Sequence, residues 1–205
     1  LVEQIGCPYH ICHISTKESV ELLRQAKAKG LPVSGETAPH YLLLTDADLK
    51  EEGRFKMNPP LRSSEDQLAL VNGLLDGTLE VIATDHAPHT AEEKSRGLEK
   101  SAMGIVGIET AFPLLYTYLV RRGVLSLEQL VELMAVNPRR LFGLEAGLAV
   151  GADADLVEMD LDTEYEIDPE EFLSMGHATP FEGWRVKGRA LLTLVDGEVA
   201  YAEAR

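Results

Sequence analysis

The segment VIATDHAPHT, residues 81–90, decides how the fold of this chain is interpreted. Its first four residues are apolar or small and are typical of a buried strand. They lead directly into Asp85, His86 and His89, side chains that bind protons and metal ions. Ligands of α/β proteins gather at the carboxyl ends of parallel strands, because the loops there face the same mouth. The segment therefore predicts a strand that ends in a binding site.

Two earlier segments follow the same pattern. CPYHICHI (7–14) is a short apolar strand that ends at His13, and LPVSGETAPHYLLL (31–44) contains a strand followed by Glu36 to His40. Helical patterns lie between the strands, at 15–30 and 63–77, and the first of these carries a Ser15–Glu18 capping box. This alternation predicts a parallel sheet covered by helices.

The residue pattern of the sequence changes after Gly147. From 148 to 205 the chain has β-branched residues, partial alternation and a DG turn at Asp196 and Gly197. We therefore predict an α/β domain over 1–147 and a small β domain segment over 148–205. A closed (β/α)₈ barrel needs about 250 residues, whereas this chain has material for roughly three βα units. The first domain is either a small open sheet or the C-terminal half of a barrel.

Composition limits the classes of function. The formal charge of −15 argues against nucleic-acid grooves and anionic membrane surfaces, but it does not exclude a small anionic substrate. The chain has no apolar run long enough to span a bilayer and no leader pattern at its start, so we expect a cytoplasmic protein. Cys7 and Cys12 are expected to be reduced core side chains rather than a disulfide.

Each candidate residue also has a purely structural interpretation. His13 is compatible with a hydrogen-bonded core histidine, His40 with a structural loop residue, and Asp85 with a helix cap, although an unpaired carboxylate after a buried strand is costly to hide. The Asn58-Pro59-Pro60 sequence is compatible with a simple turn, because two prolines exclude helix.

Five segments together resemble the C-terminal half of a class I dihydroorotase. They are HISTKES (13–19), KMNPPLRS (56–63), ATDHAPH (83–89), GIVGIETAFPLLYT (104–117) and TPFEGW (179–184). The resemblance implies the C-terminal part of an amidohydrolase-type TIM (β/α)₈ barrel plus a small β domain of the composite-sandwich type. It also implies a zinc-dependent hydrolase of cyclic amides in pyrimidine biosynthesis, which interconverts N-carbamoyl-L-aspartate and L-dihydroorotate.

The resemblance carries residue roles with it. It implies that His13, after the sixth barrel strand, is a zinc ligand, and that Asp85, after the eighth, is both a zinc ligand and the general acid/base. One or two zinc ions are implied for a full active site. The implied contacts with substrate lie at Asn58, His89, Met103 and Gly104.

Departures from the family pattern leave alternatives open. APHY at 38–41 stands where dihydroorotases of this class have TPHH and is closer to allantoinases and hydantoinases. The N-terminal HxH ligands have no counterpart, so the chain looks like a partial copy that is expected to be inactive alone. A non-catalytic dihydroorotase-like subunit that scaffolds aspartate transcarbamoylase is the third alternative, and a homodimer is also open. His177 has no implied role and is expected to be exposed.

The loop from His89 to Gly104 is polar and offers few apparent anchors. We predict that it is a mobile flank that becomes ordered over the substrate.

Overall fold

The computed structural model describes residues 1–144 and 147–203. The chain forms two compact units, the first from Leu1–Ala111 with Asp168–Glu182 and the second from Phe112–Ile167 with Gly183–Arg205. The domain division after residue 147 stays a prediction. Among the described residues, no helix has both the length and the apolar character needed to cross a membrane.

The first unit contains a parallel sheet of three strands. Their order is β1 (Tyr9–Ile11), β2 (Val33–Thr37) and β3 (Val81–Ile82), with β2 in the centre. The predicted parallel arrangement is confirmed. β3 is shorter than the predicted strand over 81–84, because only Val81 and Ile82 pair with β2 and the backbone has become left-handed by Asp85, with a φ of 49°.

The helices of the first unit precede or follow these strands. The helix after β1 begins one residue later than predicted, because Thr16 rather than Ser15 accepts from the Ser19 backbone N–H, at 3.2 Å. The Ser15–Glu18 capping box is therefore wrong. The short 3₁₀ turns are Asp46–Asp48, Gly53–Phe55 and Pro169–Glu171. The α-helices are α1 (Val2–Ile5), α2 (Lys17–Ala28), α3 (Pro39–Leu43), α4 (Ser64–Leu75), α5 (Ala91–Lys94) and α6 (Gly97–Lys100).

One face of the sheet packs against α2, and Gly35 makes the approach close. A Cβ atom at residue 35 would lie 2.6 Å from Leu23 Cδ2 and 2.8 Å from Ile14 Cδ1. Leu23 and Ile14 are both buried. The absence of a side chain in the middle of β2 therefore sets the distance between sheet and helix.

The second unit combines a helical segment with an antiparallel sheet. The sheet has the order β4 (Leu156–Glu166), β5 (Arg185–Val195) and β6 (Glu198–Ala202), with a tight turn at Asp196 and Gly197, both at positive φ. Strands are present in this part of the chain and the predicted DG turn is confirmed, while the β segment over 148–205 as a domain stays a prediction. The helical segment consists of α7 (Ala111–Leu115), a π-helical turn (Tyr116–Val120), α8 (Leu127–Val131), a second π-helical turn (Glu132–Val136) and α9 (Asn137–Leu141).

We predict that Gly35→Val lowers the free energy of unfolding by about 1–3 kcal/mol, because the added methyl groups overlap the buried Leu23 and Ile14 side chains. Urea unfolding followed by circular dichroism measures the change. Ala28→Val, which adds two methyl groups at an exposed helix end, is the control and should cost about 0.5 kcal/mol. Equal losses for the two variants would contradict the packing account.

Candidate active site

His13 and Asp85 follow β1 and β3 at the carboxyl edge of the parallel sheet. Both have left-handed backbone conformations, with φ of 41° and 49°, and among the described non-glycine residues only Asp196 shares this feature. Such conformations cost of order 1–3 kcal/mol and are concentrated at functional sites. The two positions proposed from the resemblance are thus the two strand ends where the backbone is strained.

Electrostatic interactions link residues from all three strands. The pKa of the half-buried Asp85 carboxyl is raised by burial, while His13 lowers it and the Glu36 carboxylate raises it. The backbone N–H of Ile14 donates to the Glu36 carbonyl at 2.8 Å, which holds the first two strand ends together. The polar ends of the strands therefore lie at one edge, as predicted. A cation at this edge would favour the ionised form of Asp85.

His40 contributes a buried nitrogen beside this edge. It lies in α3 and is only 1% exposed, and its Nε2 has no hydrogen-bond partner among the described residues. Burial, and to a smaller extent His13, lower the pKa of the imidazole to about 3, so the ring is neutral. His40 thus lies in a helix rather than in the predicted loop. Pro39, which is favoured at the first position of a helix, was the signal for α3.

A second group of side chains, all of types that bind metal ions, lies on β1 and β2 and directly after β1. His10, Cys12 and Glu36 place one ligand atom each within 4.8 Å of one another. The His10 ring contacts Ser34 Oγ at 2.7 Å through Nδ1 and Glu36 Oε2 at 3.0 Å through Nε2. This group is not among the predicted site residues, although the two-residue alternation of strands places His10, Cys12, Ser34 and Glu36 on one face.

The His86 imidazole forms hydrogen bonds with backbone groups. Its Nδ1 accepts from the backbone N–H groups of Gly107 and Ile108, at 3.2 and 3.4 Å. The residue also forms an isolated bridge with Ile105. The imidazole therefore fixes the segment that follows the long loop.

Three of the residues proposed to contact the substrate, His89, Met103 and Gly104, lie close to one another. His89 Nε2 donates to the Met103 carbonyl at 2.9 Å, and a Cβ atom at Gly104 would lie 3.4 Å from that same nitrogen and 2.5 Å from Ala87 Cβ. Gly104, at a φ of 127°, thus fits where a side chain would collide. The exposed Asn58 is two residues after Lys56, whose carbonyl accepts from the Gly104 N–H at 3.0 Å.

The loop between His89 and Gly104 is more strongly anchored than its sequence suggested. It contains α5 and α6, and Lys94 and Ser101 are buried within it. The expectation of few anchors is wrong, because a charged side chain turns inward and contacts backbone. Ordering of the loop over substrate stays a prediction.

Three minor expectations are also resolved. His177 is exposed and contacts Glu170 Oε1 at 3.2 Å. Cys7 and Cys12 are free thiols, as expected, but both are exposed rather than in the core. The reason is that β1 begins after Cys7 and ends before Cys12.

Comparison with known proteins gives consistent matches over nearly the whole chain. The model of the amidohydrolase family matches residues 6–200. A dihydroorotase of Bacillus caldolyticus is 55% identical over 207 residues, which cover 100% of this chain and 48% of that protein. A dihydroorotase of Bacillus thuringiensis is 53% identical, covering 98% of this chain and 47% of the relative. The chain thus spans about half the length of the curated relatives it matches.

Solved structures give the same result for the fold. An L-hydantoinase from Arthrobacter aurescens superposes with a TM-score of 0.90 at 36% identity, covering 99% of this chain and 47% of that one. A dihydropyrimidinase from Brevibacillus agri gives 0.90 at 30% identity, with 98% and 46% covered. The mixed α/β fold is that of a partial amidohydrolase TIM barrel, as the sequence indicated.

We predict that His40 makes stability depend on pH. The unfolded histidine has a pKa near 6.5 and takes up a proton that the buried ring, with its pKa of about 3, does not. This contribution to stability is fully present above pH 6.5 and is lost as the pH falls toward 3, by up to about 1.4 kcal/mol per pH unit. Urea unfolding of the parent and His40→Gln at pH 7 and pH 5 should show a smaller loss in the variant. The exposed His177→Gln serves as the control, and identical losses in His40→Gln and the parent would contradict the prediction.

Proposed function

Because the chain belongs to the amidohydrolase family, we propose that it supplies the C-terminal part of the active site of a cytoplasmic, zinc-dependent dihydroorotase of pyrimidine biosynthesis. The observation that carries the proposal is the pairing of His13 and Asp85 at one edge of the sheet, each on a left-handed backbone. Strained conformations of this kind at non-glycine residues are concentrated at functional sites. The 53–55% identity to dihydroorotases supports the choice of activity.

The donors at this edge fit zinc. Zinc in proteins is held by imidazole and carboxylate groups, and a catalytic site needs at least three protein ligands with one position open. His13 and Asp85 would provide two of these ligands. The neutral His40 adds a ring nitrogen, Nε2, that has no hydrogen-bond partner among the described residues. When bound, zinc would polarise the substrate carbonyl and increase the acidity of water.

The residues of this chain would perform the remaining steps. In the hydrolytic direction Asp85, ionised at neutral pH when a cation is near, accepts a proton from the attacking water and delivers it to the departing ring nitrogen. Asn58 offers both a donor and an acceptor to the ring amide. His89 lies in the same segment as Asp85, four residues on, and would bind the carboxylate of L-dihydroorotate or N-carbamoyl-L-aspartate. Met103 and Gly104 would complete the contacts.

We predict that Asp85→Asn lowers turnover by roughly 10³-fold or more, because the amide can neither accept the proton nor provide an anionic ligand. The assay uses a fusion in which this chain replaces the matching half of the Bacillus caldolyticus dihydroorotase. Circular dichroism should show an unchanged fold. Asp46→Asn, an exposed aspartate in a 3₁₀ turn, is the matched control and should retain full activity. Near-normal turnover in Asp85→Asn would overturn the assignment.

Hydantoinase-type activity is the second candidate. It is favoured by the TM-score of 0.90 with the Arthrobacter aurescens hydantoinase and by Tyr41 in the APHY segment. A scaffold for aspartate transcarbamoylase is less well supported, since a scaffold does not need strained ligand positions. A homodimer is compatible with either enzyme.

We predict that the same fusion turns over N-carbamoyl-L-aspartate and L-dihydroorotate at least about 100-fold more efficiently than hydantoin or allantoin. The physical reason is that a site built to pair with a substrate group rejects analogues that lack it by large factors, and hydantoin has no carboxylate for His89. Values of kcat/KM for the four compounds measure the preference. A higher value for hydantoin would favour the second candidate.

A further inference from the structure

Lys94 is an unusual residue, because its ammonium group is buried against backbone. The residue is 8% exposed. Its Nζ donates to the carbonyl oxygens of Lys56, Ala102 and Gly104, at 3.1, 2.8 and 2.6 Å. Three acceptors match the three N–H bonds of an ammonium group, so its donors are satisfied.

The positions of the three acceptors are informative. Lys56 lies two residues before Asn58, while Ala102 and Gly104 flank Met103. The Gly104 N–H donates to the same Lys56 carbonyl, at 3.0 Å. One side chain therefore joins the two stretches of chain that carry three of the proposed substrate contacts, and the fourth, His89, is bonded to Met103.

Other features of the same region reinforce this connection. A Cβ atom at Gly53 would lie 2.1 Å from the Lys94 carbonyl oxygen and 2.3 Å from Ser101 Oγ, so only glycine permits the observed approach. Lys56 Nζ donates to the Glu99 carbonyl at 2.5 Å. The segment 53–56 and the loop 94–104 are thus closely packed along their length.

Stability alone does not account for a buried ammonium here. Burial, together with the nearby Lys56, lowers the pKa of Lys94 to about 8, which shows that the charged form is disfavoured at this position. The three acceptors are neutral carbonyls, which offset desolvation less well than a carboxylate would. An apolar side chain would fill the space at lower cost but would leave three carbonyls without this donor.

We propose that Lys94 is a positioning residue, whose ammonium holds Met103 and Gly104 against the Asn58 segment before substrate binds. The substrate contacts in this inference rest on the proposed function. Lys94 touches no reacting atom, and its effect is exerted through the backbone of three other residues. Preorganisation of this kind strengthens binding, because the loop is already ordered and binding does not include the entropic cost of ordering it.

The first test is hydrogen exchange in the 205-residue chain. In Lys94→Met, which keeps the length of the side chain and removes the charge, the amides of 98–104 should exchange at least about tenfold faster, while those of α4 remain unchanged. Lys100→Met, an exposed lysine in α6, is the matched control and should leave both regions unchanged. If Lys94→Met fails to fold, Lys94→Gln, with two donors, takes its place. Unchanged exchange in the loop would overturn the proposal.

The second test is steady-state kinetics in the Bacillus caldolyticus fusion. A positioning role predicts that Lys94→Met raises KM for L-dihydroorotate by roughly tenfold and changes kcat by less than about threefold. A fall in kcat that accompanies a loss of thermal stability, without a rise in KM, would indicate a merely structural role. An unchanged KM would also overturn the proposal. A parent fusion that turns over no substrate speaks against the proposed function alone, because hydrogen exchange still decides the role of Lys94 in the loop.

Discussion

The parallel pairing of β1, β2 and β3 is the constraint on which the rest of the first unit depends. Parallel strands end at the same edge. This edge brings together His13, Asp85 and the residues that follow Glu36, although they are separated by up to 72 positions in sequence. Backbone hydrogen bonds extend this alignment past the strands, from Ile14 to Glu36 and from Ala83 to Thr37. A change of one residue in register would turn each side chain to the opposite face.

Several residues of the first unit have backbone conformations or buried polar groups that lower the stability of the fold locally. Two ligand candidates have left-handed backbones, a buried histidine has a nitrogen with no hydrogen-bond partner in the described part of the chain, and a lysine is buried against carbonyls. These groups lie around the sheet edge and the loop 89–104, whereas the side chains that pack against Gly35 in the middle of β2 are the buried aliphatic Leu23 and Ile14. Polar groups under this kind of constraint are characteristic of sites that bind and react rather than of a core.

Local patterns in the sequence predicted the elements better than the contacts. The parallel strands, the helices after them and the Asp196–Gly197 turn follow from periodicity and turn chemistry, and the motif resemblance supplied the site residues. The Ser15–Glu18 signature predicts the cap one residue before Thr16, because sequence does not show where a strand-end turn finishes. Lys94 could not be recognised as an anchor, because its partner Lys56 is 38 positions away and an exposed lysine has the same local sequence.

The left-handed backbones at His13 and Asp85 have a consequence for how this segment would respond to selection. Glycine adopts such conformations without the Cβ clash, so glycine at either position would relieve strain while removing a ligand. The most accessible gains in stability at the sheet edge are therefore changes that destroy the site. In a screen for heat resistance alone, substitutions would be expected to accumulate at His13 and Asp85. A screen that also requires metal binding would exclude these substitutions.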